Sequence, residues 1–420
     1  MQQFIIIGNS AAGIAAVEAI RQKDKESKIV VISDEDYPAY CRCLISYYLA
    51  GDVKEEKILY RLENFYKEND VELLLNKKVI RVDPKKNRIV FEDKSSLSYD
   101  SLLIATGASP KFPEIKGIKK NGVFGFRTIK DVKDIDSLLP VVKTAVVLGG
   151  GLIGLKAAYA IKKRNIETKV IIKSKQLLSQ VLDFEAASFV QRKLEENGIE
   201  IILGQDVIEV IGNGDIKAVK LDSGKVLATS LVIVGKGVAP NIDLIKDTEV
   251  KVNEGIIANS LMQTNIPNIY TAGDVCESFD LTQGELSVNA LWPIAVEQGR
   301  VAGINMIGDN VSYAGSLGMN SLEFFGLPTV SLGIFRLKET IGFQEIKKVD
   351  AKLSIYKKLI LKNNCLVGAV LVGDIKNSGV FLRLIKERID VSTFKDKLLQ
   401  ENFAYPQIMD LVKEKESIYV

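Results

Sequence analysis

The chain has 420 residues, of which 47% are hydrophobic and 26% are charged. This composition is ordinary for a globular protein, and the length allows two or three domains with large cores. There are 56 Lys and Arg against 53 Asp and Glu, and a net charge of +3 does not predict nucleic acid or a membrane surface as a partner. Histidine is absent, which excludes Ser-His-Asp triads, Cys–His nucleophile pairs, HExxH zinc sites and histidine-ligated haem.

The cysteines are few: Cys41, Cys43, Cys276 and Cys365. They form no CxxC motif, which argues against zinc ribbons and thioredoxin-type dithiols. An intrinsic iron–sulfur cluster would need all four, and their spacing resembles no ferredoxin pattern. The sequence therefore predicts no metal site.

The sequence shows no membrane or export signal. No apolar run reaches the ~18 residues of a membrane span. A strand-like segment begins at Phe4 with no basic region before it, so we expect no signal peptide. The sequence predicts a cytoplasmic location.

Two segments of the chain share one pattern of strand, glycine turn, helix and strand. The predicted elements are a strand at 4–7, a helix ending near 23 and a strand at 28–32, then a strand at 145–148, a helix ending near 163 and a strand at 168–172. Each set is typical of a βαβ unit in a buried parallel sheet. The repeat predicts two nucleotide-binding domains.

The glycines of each turn have separate physical roles. The first allows a tight turn, the second allows close approach to a pyrophosphate, and the third lets the helix pack on the strand. The second segment has all three, at Gly149, Gly151 and Gly154, whereas the first has Ser10 at the middle position. A tight turn without a ligand is the alternative for either motif alone, but two in this context favour dinucleotide binding.

Two further stretches support this interpretation. Residues 103–110 and 233–241 each read as a strand that enters a Gly/Pro turn, which suits a crossover between domains. Residues 269–275 read as a strand that ends at Gly273, so that Asp274 could accept a hydrogen bond from a ligand hydroxyl. The alternative is that Asp274 caps a helix.

Together these motifs resemble the pyridine nucleotide–disulfide oxidoreductase superfamily, flavoproteins with two dinucleotide-binding domains, over nearly the whole chain. The resemblance implies an α/β fold with two Rossmann-like domains and a C-terminal α+β interface domain. It implies FAD on residues 1–112 and 237–312, NAD(P)H on 113–236, and dimerisation through 313–420. We therefore expect FAD and NAD(P)H as cofactors, and a homodimer.

The resemblance also implies which residues bind the cofactors. Gly8, Ser10 and Gly13 would flank the FAD pyrophosphate, and Gly149, Gly151 and Gly154 that of NAD(P)H. Asp274 would bind the ribityl or pyrophosphate region of FAD, and a helix starting at Trp292 would point at the isoalloxazine. The other expected positions are Ala12, Ser33, Asp34, Glu35, Arg42, Val79, Ala105, Thr106, Gly107, Leu152, Ile153, Lys173, Lys175, Gly237, Gly273, Pro293, Ile294 and Ala295.

The residues after the second strand of each unit differ in charge. In the first unit they are Ser33, Asp34 and Glu35, so that an acid could hold the adenosine ribose or be a solvated loop charge. In the second unit Lys173 and Lys175 stand there, and cations suit a 2′-phosphate. We expect NADPH to bind at least as well as NADH, unless these lysines are solvated.

Lys156 and Cys43 are candidate catalytic residues. Lys156 stands where many relatives carry Glu near the flavin, and a cation there would favour reduced flavin; the alternative is a lysine that pairs with an acid or reaches solvent. Cys43 aligns with the redox thiol of single-cysteine relatives, and a helix start and Arg42 would lower its pKa. The alternatives are a packing or flavin-contact residue, or a disulfide with Cys41.

The chain looks most like the FAD subunits of nitrite reductases and NADH:acceptor reductases, in residues 40–46, 288–293 and 366–374. This resemblance predicts an enzyme that passes electrons between NAD(P)H and an iron–sulfur or rubredoxin-like protein. The alternative is a thiol reductase of coenzyme A disulfide, persulfide or peroxide that uses Cys43. A flavin-holding subunit without activity is a third possibility.

Overall fold

The computed structural model describes residues 2–62, 64–337 and 339–409. They divide into two compact units. The first contains the described residues up to Lys111, with Arg127–Asp136 and Gly237–Ser316, and the second contains Phe112–Phe126, Ser137–Lys236 and the described residues from Leu317.

The α-helices are α1 Ala11–Lys23, α2 Ile45–Ala50, α3 Phe65–Glu68, α4 Ile129–Leu138, α5 Leu152–Lys163, α6 Phe184–Glu196, α7 Trp292–Met306 and α8 Ser378–Lys386. The strands are β1 Gln3–Ile7, β2 Lys28–Ile32, β3 Val71–Leu74, β4 Val79–Asp83, β5 Arg88–Phe91, β6 Ser96–Ser98, β7 Ser101–Ile104, β8 Ala108–Pro110, β9 Val123–Phe124, β10 Thr144–Leu148, β11 Glu167–Ile172, β12 Ile199–Leu203, β13 Val207–Asn213, β14 Asp215–Leu221, β15 Val226–Ala228, β16 Leu231–Val234, β17 Val238–Pro240, β18 Ile256–Ile257, β19 Ile269–Thr271, β20 Cys276–Phe279, β21 Leu286–Ser287, β22 Met319–Phe324, β23 Leu327–Gly333, β24 Phe343–Asp350, β25 Ile355–Lys362 and β26 Cys365–Val372.

The first unit is built on a parallel sheet with the strand order β19-β7-β1-β2-β3. Its central strand is buried on both faces: Phe4 and Ile6 pack into one hydrophobic cluster, and Ile5 and Ile7 into another. Such two-sided burial explains the uninterrupted apolar run in the sequence. An antiparallel sheet β4-β5-β6 is inserted before β7.

The second unit repeats this plan. Its parallel sheet has the order β12-β11-β10-β16-β9, with β10 and β11 in the places of β1 and β2. An antiparallel sheet β13-β14-β15 is again inserted before the return strand, β16. The predicted βαβ units and the predicted fold class are confirmed.

The two expected Gly/Pro turns are turns only at their glycines, Gly107 and Gly237, which have positive φ, and the residues up to each proline form short strands. In the first unit, β8 and β17 pair antiparallel, with Ala108 opposite Pro240. The pairing thus joins the two stretches that resembled each other in the sequence.

The C-terminal part of the second unit is an antiparallel sheet with the order β22-β23-β26-β25-β24, covered by α8. The β25–β26 hairpin turns at Asn363 and Asn364, which have φ of +49° and +59°. Asparagine tolerates this left-handed conformation, which a tight hairpin turn requires.

A buried charge cluster joins α6 to this C-terminal sheet. Lys358 is 3% exposed and forms an ion pair with Asp183, which also accepts a hydrogen bond from the Tyr356 hydroxyl at 2.9 Å. Asp183 is the N-cap of α6 and accepts the backbone N–H of Ala186. Burial and the Asp183 charge raise the pKa of Tyr356. The hydroxyl therefore stays protonated and remains a donor.

The longest described helix, α7, has 15 residues. None of the helices in the described ranges is long and apolar enough to cross a lipid bilayer.

The glycine at the third position of the first turn is required by the fold itself. A Cβ on Gly13 would lie 2.0 Å from the backbone oxygen of Gly8, whereas a Cβ on Gly379, in α8, would meet no atom within 4 Å. We expect Gly13→Ala to lower the free energy of unfolding by roughly 1–3 kcal/mol, because the clash with backbone outweighs the gain in helix propensity. Urea unfolding followed by circular dichroism measures this.

Gly379→Ala is the matched control, and it should leave the urea midpoint unchanged or raise it. If both variants raised the midpoint equally, the close contact at Gly13 would not be a constraint on the fold.

Candidate functional site

The turn after β1 is closed by two backbone contacts. Gly8 has φ +129°, and a Cβ there would lie 2.1 Å from the carbonyl oxygen of Ala105 at the end of β7. Gly13, in the first turn of α1, lies against the Gly8 oxygen as described above. The chain therefore turns from strand to helix within a few residues, and the N-terminus of α1 faces the carboxyl edge of the sheet.

The turn after β10 has the same geometry. A Cβ on Gly149, which has φ +109°, would lie 2.4 Å from the Gly235 oxygen, and one on Gly154 would lie 2.2 Å from the Gly149 oxygen. Around Gly151, by contrast, no atom lies within 4 Å of such a Cβ. The middle position is thus free of contacts within the protein, which explains how Ser10 is accommodated in the first turn.

These turns fit a dinucleotide pyrophosphate. Neither α1 nor α5 has an acidic residue in its first turn, and Ser10 and Gly151, the two N-caps, form no side-chain cap hydrogen bond. The first N–H groups of each helix are therefore available to an anion, in the field of the helix dipole. Ala12 in α1 is buried, and Leu152 and Ile153 in α5 are half-buried.

The parallel register brings most of the predicted FAD-binding residues to one edge of the first sheet. Because β19, β7, β1 and β2 are neighbours that run in the same direction, their carboxyl ends lie side by side. The residues that follow these strands are Gly8 and Ser10, Ser33, Asp34 and Glu35, Ala105, Thr106 and Gly107, and Gly273 and Asp274. This edge is where open α/β sheets bind their ligands.

Asp274 is paired with Arg127, which the sequence analysis did not identify. Their side chains form an ion pair and are 14% and 19% exposed. No helix begins at Asp274, so the alternative that it is a helix N-cap is wrong. The backbone N–H of Arg127 donates to the Asp131 carboxylate at 2.8 Å, which fixes its segment at the start of α4. The ion pair therefore holds the Asp274 carboxylate in one orientation.

The loop after β2 is fixed by Glu35. This carboxylate forms an ion pair with Arg42 and accepts a hydrogen bond from the Tyr40 hydroxyl at 2.6 Å. Arg42 also donates to the backbone oxygen of Arg127 at 3.1 Å. Glu35 is thus not a solvated loop charge, although Asp34 beside it is exposed.

The remaining residues of the first unit are placed as follows. Trp292 begins α7 and stacks edge-on against Tyr60, with ring centroids 4.9 Å apart. Pro293 is exposed, and Ile294 and Ala295 are buried. Gln298 of α7, also missed in the sequence, accepts the backbone N–H of Gly273 at 2.8 Å and links α7 to the Asp274 turn.

Three predicted residues lie near the crossover or in another sheet. Thr106 donates to the backbone oxygen of Asn241 at 2.8 Å, and Gly237 is exposed with φ +90°. Val79 begins β4 and packs against the hydrophobic cluster beneath the inserted sheet. The structure therefore does not place the Val79 side chain at the sheet edge.

Cys41 and Cys43 lie at a 3-10 turn, Arg42–Leu44, and all four cysteines are free thiols. A hydrogen bond from the Cys43 side chain lowers the pKa of Cys41 to about 7. The same hydrogen bond, together with burial and the neighbouring Cys41 charge, raises the pKa of Cys43. The expected lowering of the Cys43 pKa is not found, because the hydrogen bond with Cys41 and burial act in the opposite direction and Arg42 is paired with Glu35. Cys43 is exposed and is not a core residue.

Lys156 lies in α5 of the second unit. Its ammonium group donates to the backbone oxygen of Glu323 at 3.1 Å and lies 5.2 Å from the centroid of the Phe324 ring. The lysine therefore bridges α5 and β22, and its expected role near the flavin stays a prediction.

Two sequence comparisons cover almost the whole chain. Residues 2–299 match the pyridine nucleotide-disulphide oxidoreductase family, and residues 319–389 match the rubredoxin NAD+ reductase C-terminal domain. The second match corresponds to the β22–β26 sheet and α8.

Curated relatives span the chain as well. It is 33% identical to an NADH oxidase of Methanocaldococcus jannaschii, over 99% of this chain and 97% of the relative. It is 30% identical to the assimilatory nitrate reductase electron transfer subunit of Bacillus subtilis, over 96% of this chain and 52% of that subunit. The chain thus spans about half the length of the latter relative.

Solved structures share the fold. An NADH:rubredoxin oxidoreductase from Clostridium acetobutylicum is 25% identical with a TM-score of 0.77, covering 94% of this chain and 97% of its own. A NAD-dependent persulfide reductase from A. fulgidus is 26% identical with a TM-score of 0.87. The match covers 96% of this chain and 79% of the chain of that reductase.

The predicted family is confirmed by these matches, as are FAD and NAD(P)H as cofactors. The chain belongs to the pyridine nucleotide-disulphide oxidoreductase family, whose members bind FAD and use NAD(P)H.

Proposed function

We propose that this chain is a FAD-dependent NAD(P)H oxidoreductase that passes electrons between NAD(P)H and an iron–sulfur or rubredoxin-type redox protein. The observation that carries the proposal is the C-terminal sheet, since residues 319–389 match the rubredoxin NAD+ reductase C-terminal domain. The likeness to an NADH:rubredoxin oxidoreductase supports it. The proposed homodimer and the domain bounds given above belong to the same proposal.

The residues of this chain suit such a reaction because it needs positioning rather than a histidine. FAD, when bound, accepts a hydride and releases electrons one at a time. We assign the α1 N-terminus and the Gly8–Gly13 turn to the pyrophosphate, and Asp274 to a ligand hydroxyl. The ion pair with Arg127 keeps this carboxylate oriented, so that it accepts a hydrogen bond without reorganising.

The proposal is tested with purified holoprotein and defined carriers. We expect NAD(P)H to reduce a purified rubredoxin or a [2Fe–2S] ferredoxin under anaerobic conditions, as followed by bleaching of the carrier's visible absorbance. Ferricyanide reduction is the control that shows a competent flavin. Turnover of ferricyanide without reduction of any protein carrier would contradict the proposed partner class.

The Arg127–Asp274 pair gives a prediction about cofactor retention. We expect Arg127→Leu to weaken FAD binding roughly tenfold or more, because Asp274 loses the cation that orients it. The dissociation constant is measured from FAD fluorescence after reconstitution of the apoprotein. Lys130→Met is the matched control, since Lys130 lies three residues after Arg127, in α4, and forms an exposed ion pair with Asp134. Equal FAD affinity in both variants would remove Arg127 from the site.

A second function is favoured by the Cys41–Cys43 pair. With its pKa lowered to about 7, Cys41 is partly ionised at neutral pH, and its thiolate can attack the S–S bond of a disulfide or persulfide, whose leaving sulfur takes a proton from solvent. The Cys43 thiol would then attack the sulfur of Cys41, and its proton goes to the second thiolate as that thiolate leaves. NAD(P)H supplies the hydride that returns the disulfide to one thiolate and one thiol. The likeness to a persulfide reductase supports this candidate.

Electron counting separates the candidates. In an anaerobic dithionite titration, flavin alone should take about two electrons, and flavin with an oxidised thiol centre about four. If the two cysteines form the redox pair, both Cys41→Ser and Cys43→Ser should lower the count to about two, and Cys365→Ser should leave it at about four.

A lone redox thiol at Cys43 would keep a count of about four in Cys41→Ser. A count of about two for the unmodified protein after treatment with glutathione disulfide would exclude either thiol mechanism.

A further inference from the structure

We infer that the second nucleotide-binding unit carries a 2′-phosphate site formed by Lys173 and Lys175, and that this chain selects NADPH over NADH. The inference rests on the proposed function, because it names the electron donor of that reaction. It is carried by the position of these lysines, by the contacts of the acids around them and by the contrast with the first unit.

The loop that bears the lysines is fixed against the glycine turn. Lys173 directly follows β11, the neighbour of β10 in the sheet. The backbone N–H of Leu178 donates to the Gly150 oxygen at 2.8 Å, and a Cβ on Gly150 would lie 2.4 Å from the Ile172 side chain. The loop from 173 to 178 is thus anchored beside the turn where the pyrophosphate is expected, on the side where a dinucleotide fold holds the adenosine ribose.

The loop itself has a defined conformation. The Ser174 hydroxyl donates to the Gln176 oxygen at 2.6 Å, and the Gly204 N–H donates to the Ser174 oxygen at 3.2 Å. Lys173 and Lys175 flank this fixed serine, and both are exposed. The anchored loop therefore carries two exposed lysines, two residues apart, beside the turn where the dinucleotide is expected.

Two acids that come after β11 in the chain contact other side chains. Asp206, which follows β12, forms an ion pair with Lys236. Asp183 is paired with the buried Lys358. Within the ranges that the structure describes, no acid directly follows β11, so the ribose hydroxyls of NADH would lack the carboxylate that usually binds them.

The first unit provides an internal comparison. At the equivalent place after β2 it carries Asp34 and Glu35, and Glu35 is held in position by Arg42 and Tyr40. The two repeats thus have the same strand order and opposite charge at this position. An acid suits a ribose diol, as in FAD, and a pair of cations suits a ribose that carries a phosphate.

The test uses two ligands that differ only in the 2′-phosphate and cannot be oxidised or reduced. Holoprotein is titrated by calorimetry with adenosine 2′,5′-bisphosphate and with adenosine 5′-monophosphate. We expect the bisphosphate to bind roughly tenfold tighter or more at low salt, and the advantage to shrink as salt screens the exposed charges.

Charge-reversal variants test whether Lys173 and Lys175 bind the 2′-phosphate. Lys173→Glu and Lys175→Glu should each remove most of the advantage of the bisphosphate and lower the ratio of kcat/KM for NADPH over NADH roughly tenfold. Lys217→Glu is the matched control: this exposed lysine lies on β14 of the same unit and changes the net charge equally. It should leave unchanged both the affinity advantage of the bisphosphate and the ratio of kcat/KM for NADPH over NADH.

Each outcome has a distinct meaning. Equal affinity for the two ligands, or an equal effect of Lys217→Glu, would overturn the 2′-phosphate site. Efficient carrier reduction with NADH and a poor rate with NADPH would also overturn it while leaving the proposed function intact. Tight binding of the bisphosphate without carrier reduction by either nucleotide would support this site and refute the proposed function.

Discussion

Both nucleotide-binding repeats depend on one steric contact, in which the α-carbon of the third glycine lies against the carbonyl oxygen of the first. The contact is present at Gly13 on Gly8 and at Gly154 on Gly149. No side chain larger than hydrogen fits between these atoms without a shift of backbone. The contact determines the angle at which the helix leaves the strand, and so it aims the helix N-terminus at the carboxyl edge of the sheet.

The polar residues at the edge of the first sheet depend on that geometry. Arg42 contacts Glu35 in the loop after β2 and the backbone of Arg127 at the start of α4, and Arg127 in turn contacts Asp274. Segments that are distant in the chain are thereby joined by charge-assisted hydrogen bonds around the same edge. Such a network is costly to rearrange, because removal of one partner leaves a half-buried charge without its counter-charge. It gives the site its preorganisation.

The regular elements could be predicted from the sequence because their signals are local. An uninterrupted apolar run followed by a glycine turn identified β1 and β10. The third glycine of each turn was likewise assigned its packing role from spacing alone.

The side-chain pairs of the site could not be predicted in this way. Arg127 and Asp274 are 147 positions apart, and the chain offers many other pairs of opposite charge. The pKa order of Cys41 and Cys43 depends on which thiol donates to the other, and Arg42 lies between them in sequence but faces away toward Glu35. These are properties of three-dimensional orientation, which residue spacing does not determine.

The buried cluster of Asp183, Tyr356 and Lys358 has a consequence for how the second unit could have evolved. The carboxylate that caps α6, a helix of the nucleotide-binding repeat, obtains its cation and its hydroxyl donor from β25 of the C-terminal sheet. A chain shortened before that sheet would keep the Rossmann motif and lose both partners of this cap. The two parts are therefore not interchangeable modules: a C-terminal segment exchanged for another would have to supply a lysine and a tyrosine at the same two places.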